Sequence, residues 1–153
     1  MQREILFRGK RIDNGEWVEG NLLTQKPGKF MEGAYICETI SSARADCGLI
    51  ALGGFIEVDP STVGQYIGMD DCNGKRIYEG DVIKFADGYT DRSGDSVETV
   101  GFGAVCYDNE CPMFYITDRT SIEMQDLWEC TDVTEIIGNI HDNPYLLPEG
   151  TQC

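Results

Sequence analysis

Turn-forming residues recur at short intervals along the chain, and this limits the folds that it can adopt. Gly, Asp and Asn interrupt segments that are rich in β-branched and aromatic residues. Glycine accounts for 18 of the 153 residues, or about 12%, against a usual share of about 7%. This spacing is typical of short strands joined by tight turns. The sequence therefore predicts a mainly β protein.

Two Asn-Gly pairs are the strongest of these turn signals. Asn14-Gly15 predicts a hairpin between strands at residues 4–10 and 16–23, because Asn-Gly accepts the positive φ angles of a type I′ turn. In the returning strand, Trp17 alternates with charged neighbours, so we expect it to face the core. The second pair, Asn73-Gly74, lies in a loop over residues 70–75. Further strands are predicted at residues 34–39, 49–58, 63–67, 82–85, 99–107, 113–117 and 134–140.

The order of these elements predicts two subdomains within one compact unit. An N-terminal β-hairpin subdomain covers residues 1–75, and a small SH3-like barrel covers residues 76–153. Within the second, residues 86–98 are predicted to form a long polar loop. A single short helix of at most two turns is predicted over residues 121–127. No repeat at a fixed period and no low-complexity linker separates the two parts.

The chain is strongly acidic, and the acids are unevenly distributed. It holds 27 acidic and 12 basic residues and has a formal net charge of -15, which argues against direct binding to a nucleic-acid backbone or an anionic membrane. Residues 1–30 carry six bases and four acids, a net charge of +2, and the remainder carries -17. This asymmetry would allow pairing between the two parts, within one chain or in a homo-oligomer. The favoured interpretation of the acids is that they maintain solubility, and a sharper alternative is that they imitate the spaced charges of a nucleic acid.

The seven cysteines show no metal-binding or redox spacing. None forms a Cys-x-x-Cys pair, and His141 is the only histidine, so we expect neither a metal nor a cofactor. The first residues lack the apolar segment of a signal peptide. The longest apolar run, residues 48–56, is far shorter than the roughly 20 residues that span a bilayer. The sequence thus predicts a cytoplasmic protein with reduced thiols and no membrane partner.

Three stretches together carry a recognisable pattern. They are residues 7–11 with 15–20, then residues 58–81, and finally residues 137–140 with 143–144. The middle stretch includes Val58-Asp59-Pro60 and Ile77-Tyr78-Glu79-Gly80-Asp81. This pattern strongly resembles the YopX family of phage and prophage proteins. The resemblance implies a mainly β protein encoded by a phage or prophage in a bacterial host, but it supplies no activity, because the family's function is unknown.

The sequence contains no established catalytic motif. It lacks the glycine pattern of dinucleotide and phosphate loops, the Gly-x-Ser-x-Gly of hydrolases and the His-Glu-x-x-His of metalloproteases. His141 paired with a cysteine would make a nucleophile and base, but its place in a turn favours a structural role. Asp81 follows Gly80, where a turn aspartate accepts backbone N–H bonds. We therefore expect a protein that is not an enzyme.

Two functional hypotheses follow. The favoured one is a non-enzymatic accessory protein that binds a host or phage protein or assembles with itself. The alternative is a small-ligand or nucleotide-binding protein with its site between the two subdomains. Five cations and two aromatic rings would form that site: Arg8, Lys10, Arg11, Lys75, Arg76, Tyr66 and Tyr78.

Overall fold

A computed structural model describes residues 4–24, 33–38, 54–90, 92–110, 112–117 and 134–147. The chain divides into two compact units, Met1–Tyr66 and Ile67–Cys153. The described residues hold ten strands in antiparallel sheets and two short 3-10 helices, so the prediction of a mainly β protein is confirmed. The predicted subdomain boundary after residue 75 stays a prediction.

The first unit is built on a meander of short antiparallel strands. Their order is β4-β3-β2-β1-β5, and the first residues of β5 pair with β1. The strands are β1 (Phe7–Lys10), β2 (Trp17–Thr24), β3 (Ala34–Cys37), β4 (Phe55–Val58) and β5 (Gly64–Asp70).

The predicted hairpin between β1 and β2 is confirmed, with a longer loop than the Asn-Gly pair suggests. Arg11 N donates to Glu16 O at 2.9 Å and Gly15 N donates to Arg11 O at 3.0 Å, so the loop spans residues 12–15. Gly15 has a φ of 74°, a left-handed conformation that glycine adopts without steric cost. Asn14 Oδ1 accepts from Glu16 N at 3.0 Å, and this bond stabilises the loop that leads into β2.

A capped turn connects β4 to β5. Asp59 Oδ1 accepts from Ser61 N at 2.9 Å and so caps the short helix Pro60–Thr62. The Thr62 hydroxyl donates to Asp59 O at 2.7 Å and accepts from Lys10 N at 2.9 Å. These bonds attach the turn to the end of β1, which explains why Asp, Pro and Thr occur together in this stretch.

The core of the first unit lies on one face of its strands. Val18, Ala34, Ile36 and Val58 are buried there, and Phe7, Leu22, Ile56 and Val63 pack against them. The expectation that Trp17 faces the core is wrong, because alternation along β2 directs Val18 inward and leaves Trp17 half-buried on the opposite face.

The second unit contains a four-stranded antiparallel sheet with the order β10-β7-β8-β9. The remainder of β5 and its neighbour β6 (Arg76–Tyr78) precede this sheet in the chain. The described strands of this sheet do not close into a barrel, so the finer prediction of an SH3-like barrel is not confirmed. Its strands are β7 (Asp81–Thr90), β8 (Ser96–Asp108), β9 (Met113–Ile116) and β10 (Glu135–Asn139).

The predicted polar loop over residues 86–98 is wrong. Strand β7 continues to Thr90 and β8 begins at Ser96, and these two residues are paired at the end of a long hairpin. Backbone pairing with the neighbouring strand overrides the polar composition of the segment. Gly94 adopts a φ of 90° in the connecting turn. The helix predicted over residues 121–127 lies outside the described residues.

The core of the second unit contains aliphatic side chains around the Phe85 ring. Ile83 and Phe85 of β7 and Val105 of β8 are each at most 2% exposed. Seven buried residues form this cluster: Ile67, Met69, Ile77, Ile83, Phe85, Val105 and Ile116.

The three cysteines within the described residues differ in oxidation state. Cys37 and Cys72 carry unoxidised thiols, the first buried and the second exposed. Cys106 is disulfide-bonded, so the expectation of reduced thiols is wrong at that residue. Within the described ranges, no helix is long and apolar enough to cross a membrane.

Candidate functional site

Three apolar side chains lie exposed beside one another on the sheet of the second unit. Val100 and Phe102 are 50% and 47% exposed, and they share a face because side chains two residues apart in a strand point the same way. Exposed Ala86 of β7 lies directly opposite Val100. We call these residues, Ala86, Val100 and Phe102, the outer patch.

Gly101 and Gly103 determine which face of strand β8 points towards solvent. A Cβ atom at Gly101 would overlap the Phe85 ring, and one at Gly103 would overlap Ile116 Cγ2. The inner face of β8 therefore has room only for hydrogen at these two positions. A shift of register by one residue would bring Phe102 into that space, so close packing inside the sheet keeps Val100 and Phe102 outside.

Charged side chains lie on one side of the outer patch. Exposed Lys84 lies opposite Phe102 in the register of β7 and β8, and exposed Glu135 of β10 lies opposite Lys84 on its other side. Protein-binding surfaces usually combine an apolar centre with a polar rim, and the two charges supply polar surface on this side of the patch. This surface can therefore contact a protein through its apolar side chains and through the charges of Lys84 and Glu135.

The outer patch is not among the residues predicted from sequence, although the sequence contains a signal for it. In residues 100–103, large apolar residues alternate with glycine. In a strand this alternation puts all the apolar side chains on one face and none on the other. The alternation therefore indicates an exposed apolar face on this strand, in addition to the strand itself.

Two of the predicted ligand residues, Arg8 and Lys10, lie beside Trp17 in the first unit. The Arg8 guanidinium carbon lies 4.7 Å from the centroid of the Trp17 ring, and Lys10 Nζ lies 6.0 Å from it. Arg8 is 7% exposed, while Lys10 and Trp17 are half-buried. Cation–π attraction of this kind stabilises the β1–β2 hairpin.

Arg11 lies in a different environment from Arg8 and Lys10. Its Nε and one terminal nitrogen donate to the Asp13 carboxylate at 2.8 and 2.6 Å. The hydrogen bond with Asp13 raises the pKa of Arg11, and the same bond lowers the pKa of Asp13. The positive charge of Arg11 is therefore compensated locally.

The remaining predicted ligand residues differ in accessibility. Tyr66 and Tyr78 are 8% and 1% exposed, so neither ring presents an open stacking face. In the second unit, Lys75 is exposed and Arg76 is half-buried. The prediction that all seven residues form one site between the subdomains stays a prediction.

Asp81, which was predicted as a turn aspartate, and Asp71 both have buried carboxylates that accept hydrogen bonds from backbone N–H groups. Asp81 is 1% exposed, and its Oδ2 accepts from Tyr78 N at 2.9 Å. Asp71 Oδ1 accepts from Asn73 N and Lys75 N, both at 2.9 Å, and its Oδ2 accepts from Ile136 N at 3.2 Å. Burial raises the pKa of Asp71, but the bonds from Lys75, Ile136 and Asn73 outweigh it and hold that pKa below its ordinary value.

His141 also belongs to a turn stabilised by side-chain bonds. Asn139 Oδ1 accepts from His141 N at 2.9 Å and from Asp142 N at 2.8 Å. A Cβ atom at Gly138 would lie 2.6 Å from Asn143 Oδ1, so this position also requires glycine. In the described part of the chain, no three His, Cys, Asp or Glu residues are grouped so that they could hold a metal ion.

The three stretches that carry the sequence pattern thus form tight turns and the strands beside them. Comparison with known families gives a match to the family described as YopX protein over residues 6–148. The chain belongs to the YopX family. Its capped turn at Asp59, its Asp71 loop and its Asn139 turn are therefore structural features of a YopX family member.

A solved structure shares the fold of this YopX family member. The crystal structure of protein EF1440 from Enterococcus faecalis matches it with a TM-score of 0.58 and 20% sequence identity. The match covers 96% of this chain and 100% of the other. No protein among those with curated descriptions matches the chain.

Proposed function

We propose that this protein is a non-enzymatic accessory protein of a phage or prophage, and that it acts in the bacterial cytoplasm by binding a protein. The bound protein is a host or phage protein or a second copy of this chain. The observation that supports this proposal is the outer patch. The resemblance to phage and prophage proteins of the YopX family supports the proposed origin.

The outer patch suits protein binding because contiguous apolar surface is costly to expose to water. Fully burying a side chain such as valine or phenylalanine contributes about 1.5–3 kcal/mol. Val100 and Phe102 are about half exposed, so covering both contributes on the order of 2 kcal/mol. Single exposed apolar residues are common on protein surfaces, whereas adjacent ones mark interaction sites.

Sedimentation velocity and affinity capture together test this proposal. We expect the full chain to sediment as an oligomer, or to retain one protein from host lysate in a fixed molar ratio. Phe102→Glu should abolish the association, because it places a charge within the patch. Ile5→Glu is the matched control, since Ile5 is 58% exposed but lies in the first unit.

Two outcomes would contradict the proposal. The first is a strictly monomeric protein that retains no partner. The second is an association that Phe102→Glu and Ile5→Glu weaken equally, because binding would then not depend on the outer patch.

A second candidate function is the binding of a nucleotide or similar small anion. It is supported by the half-buried Trp17 ring and the neighbouring Lys10 ammonium, which together offer a stacking surface beside a positive charge. A thermal-shift titration with ATP and ADP tests it, because a bound ligand raises Tm. We expect Lys10→Ala to abolish the rise in Tm and Lys84→Ala to preserve it. No rise with either nucleotide would exclude this candidate.

A further inference from the structure

The first unit contains a cavity of about 300 Å³ beside the loop that follows β1. This volume lies at the lower end of the range for small-molecule sites, about 300–1,000 Å³. Its lining combines apolar and charged side chains: Arg11, Ile12, Asp13, Phe55, Ile56 and Glu57.

Main-chain hydrogen bonds hold the two walls of this cavity together. Ile12 N donates to Glu57 O at 3.2 Å, and Asp59 N donates to Lys10 O at 2.8 Å. Arg11 and Val58 form a β-bridge between these two bonds. The loop after β1 therefore runs alongside strand β4, so the backbone determines the distance between the walls.

The walls carry apolar side chains that the core does not use. Ile12 and Phe55 are 60% and 41% exposed, whereas Ile56 packs against the core of the first unit. A ligand that covers Ile12 and Phe55 removes apolar surface from water, which favours binding. The cavity thus selects ligands with an apolar body.

The charges on the lining add to a net negative value. The two hydrogen bonds between Arg11 and Asp13 bring opposite charges together within the cavity wall. Glu57 is exposed and adds a second carboxylate. One positive and two negative groups leave a charge of -1, and this favours a cationic ligand.

We propose that this cavity binds an organic ammonium group attached to an apolar body, with the body against Ile12 and Phe55 and the ammonium group at Glu57. The ligand is either a free amine or the lysine side chain of a bound peptide, which present the same chemistry. The cavity lies wholly within the first unit and the outer patch within the second. This proposal therefore does not rest on the proposed function.

NMR titration of the uniformly ¹⁵N-labelled full chain tests the site. The probes are benzylamine, the neutral benzyl alcohol of similar shape, and the capped dipeptide N-acetyl-Phe-Lys-amide. We expect benzylamine to shift the amide signals of Ile12, Phe55 and Glu57. Benzyl alcohol should bind about two- to five-fold more weakly, as expected for one exposed ion pair. Whichever cationic probe binds more tightly identifies the free amine or the peptide as the source of the ligand.

Two variants assign the interaction to the proposed residues. Glu57→Gln should weaken benzylamine about two- to five-fold and leave benzyl alcohol unchanged. Phe55→Ala should weaken both probes, because it removes apolar contact. Glu110→Gln is the matched control, since Glu110 is an exposed acid in the second unit, and it should change neither affinity.

The proposal is overturned if benzylamine shifts no signal at these residues, or if benzyl alcohol binds as tightly. It is equally overturned if Glu57→Gln and Glu110→Gln have the same effect on benzylamine. None of these results alters the association that the Phe102→Glu comparison measures, so the two proposals succeed or fail separately.

Discussion

Asp71 shows how one carboxylate connects a turn to a distant strand. It lies in a loop that the sequence identifies as a turn, and Asn73 and Lys75 of that loop donate to its Oδ1. Its Oδ2 accepts from Ile136, which is 65 residues away in β10. The local bonds follow from the residue type and its place in the loop. The bond to Ile136 depends on tertiary structure, so the sequence could not predict it.

Replacing Asp71 with alanine should destabilise the second unit. The change leaves backbone N–H groups of Asn73, Lys75 and Ile136 without their acceptor, and the expected loss in free energy of unfolding is about 2–3 kcal/mol. Urea unfolding followed by circular dichroism measures this loss. Glu110→Ala, an exposed control in the same unit, should change stability by less than about 0.5 kcal/mol. Equal effects of the two variants would contradict the role of Asp71.

The same carboxylate predicts a pH dependence of stability. The folded-state pKa of Asp71 is lower than its ordinary value of 3.8. The ionised carboxylate therefore contributes fully to the free energy of unfolding when the pH is above that value. This contribution is lost as pH falls from there through the folded-state pKa. Urea unfolding between pH 6 and about 2 should therefore show that Asp71→Asn loses less free energy of unfolding on acidification than the wild type does. Parallel pH profiles would contradict the lowered pKa.

Strand β8 illustrates a constraint at the scale of one element. Its inner face must carry glycine at positions 101 and 103, because Phe85 and Ile116 occupy the space of a Cβ atom. Gly101→Ala should therefore destabilise the protein by about 1–3 kcal/mol, the usual cost of overpacking a core.

Thermal unfolding of Gly101→Ala beside Val100→Ala measures this cost. Val100 is 50% exposed, so the control variant should lower stability by no more than about 0.5 kcal/mol. A Gly101→Ala variant as stable as the wild type would show that the inner face of β8 has room for a side chain.

The strands were largely predictable from sequence, because turn residues and apolar alternation are local signals. The positions of β1 to β3 and of β8 to β10 follow from them within a few residues. The hairpin formed by residues 81–108 was not recognised in full, because its polar segment gains its structure from a partner strand. The cavity was also missed, since Ile12 and Glu57 are distant in sequence and meet through a main-chain bond.

At the scale of the whole molecule, charge and apolar exposure give different information. In a chain with a net charge of -15, the residues Arg8, Lys10 and Arg11 form a small basic segment. In the structure these cations contact Trp17 or Asp13 in the first unit. The outer patch is therefore a stronger basis for a binding function than the charge asymmetry.

Site-specific photocrosslinking at position 102 tests the binding function most directly. A benzophenone amino acid replaces Phe102 in the full chain produced in bacterial cells, and the matched control carries it at exposed Glu110. We expect irradiation to give one discrete adduct at position 102, with a second copy of the chain or with another protein, and none at position 110. No adduct at position 102, or the same adducts at both positions, would contradict a binding role for the outer patch.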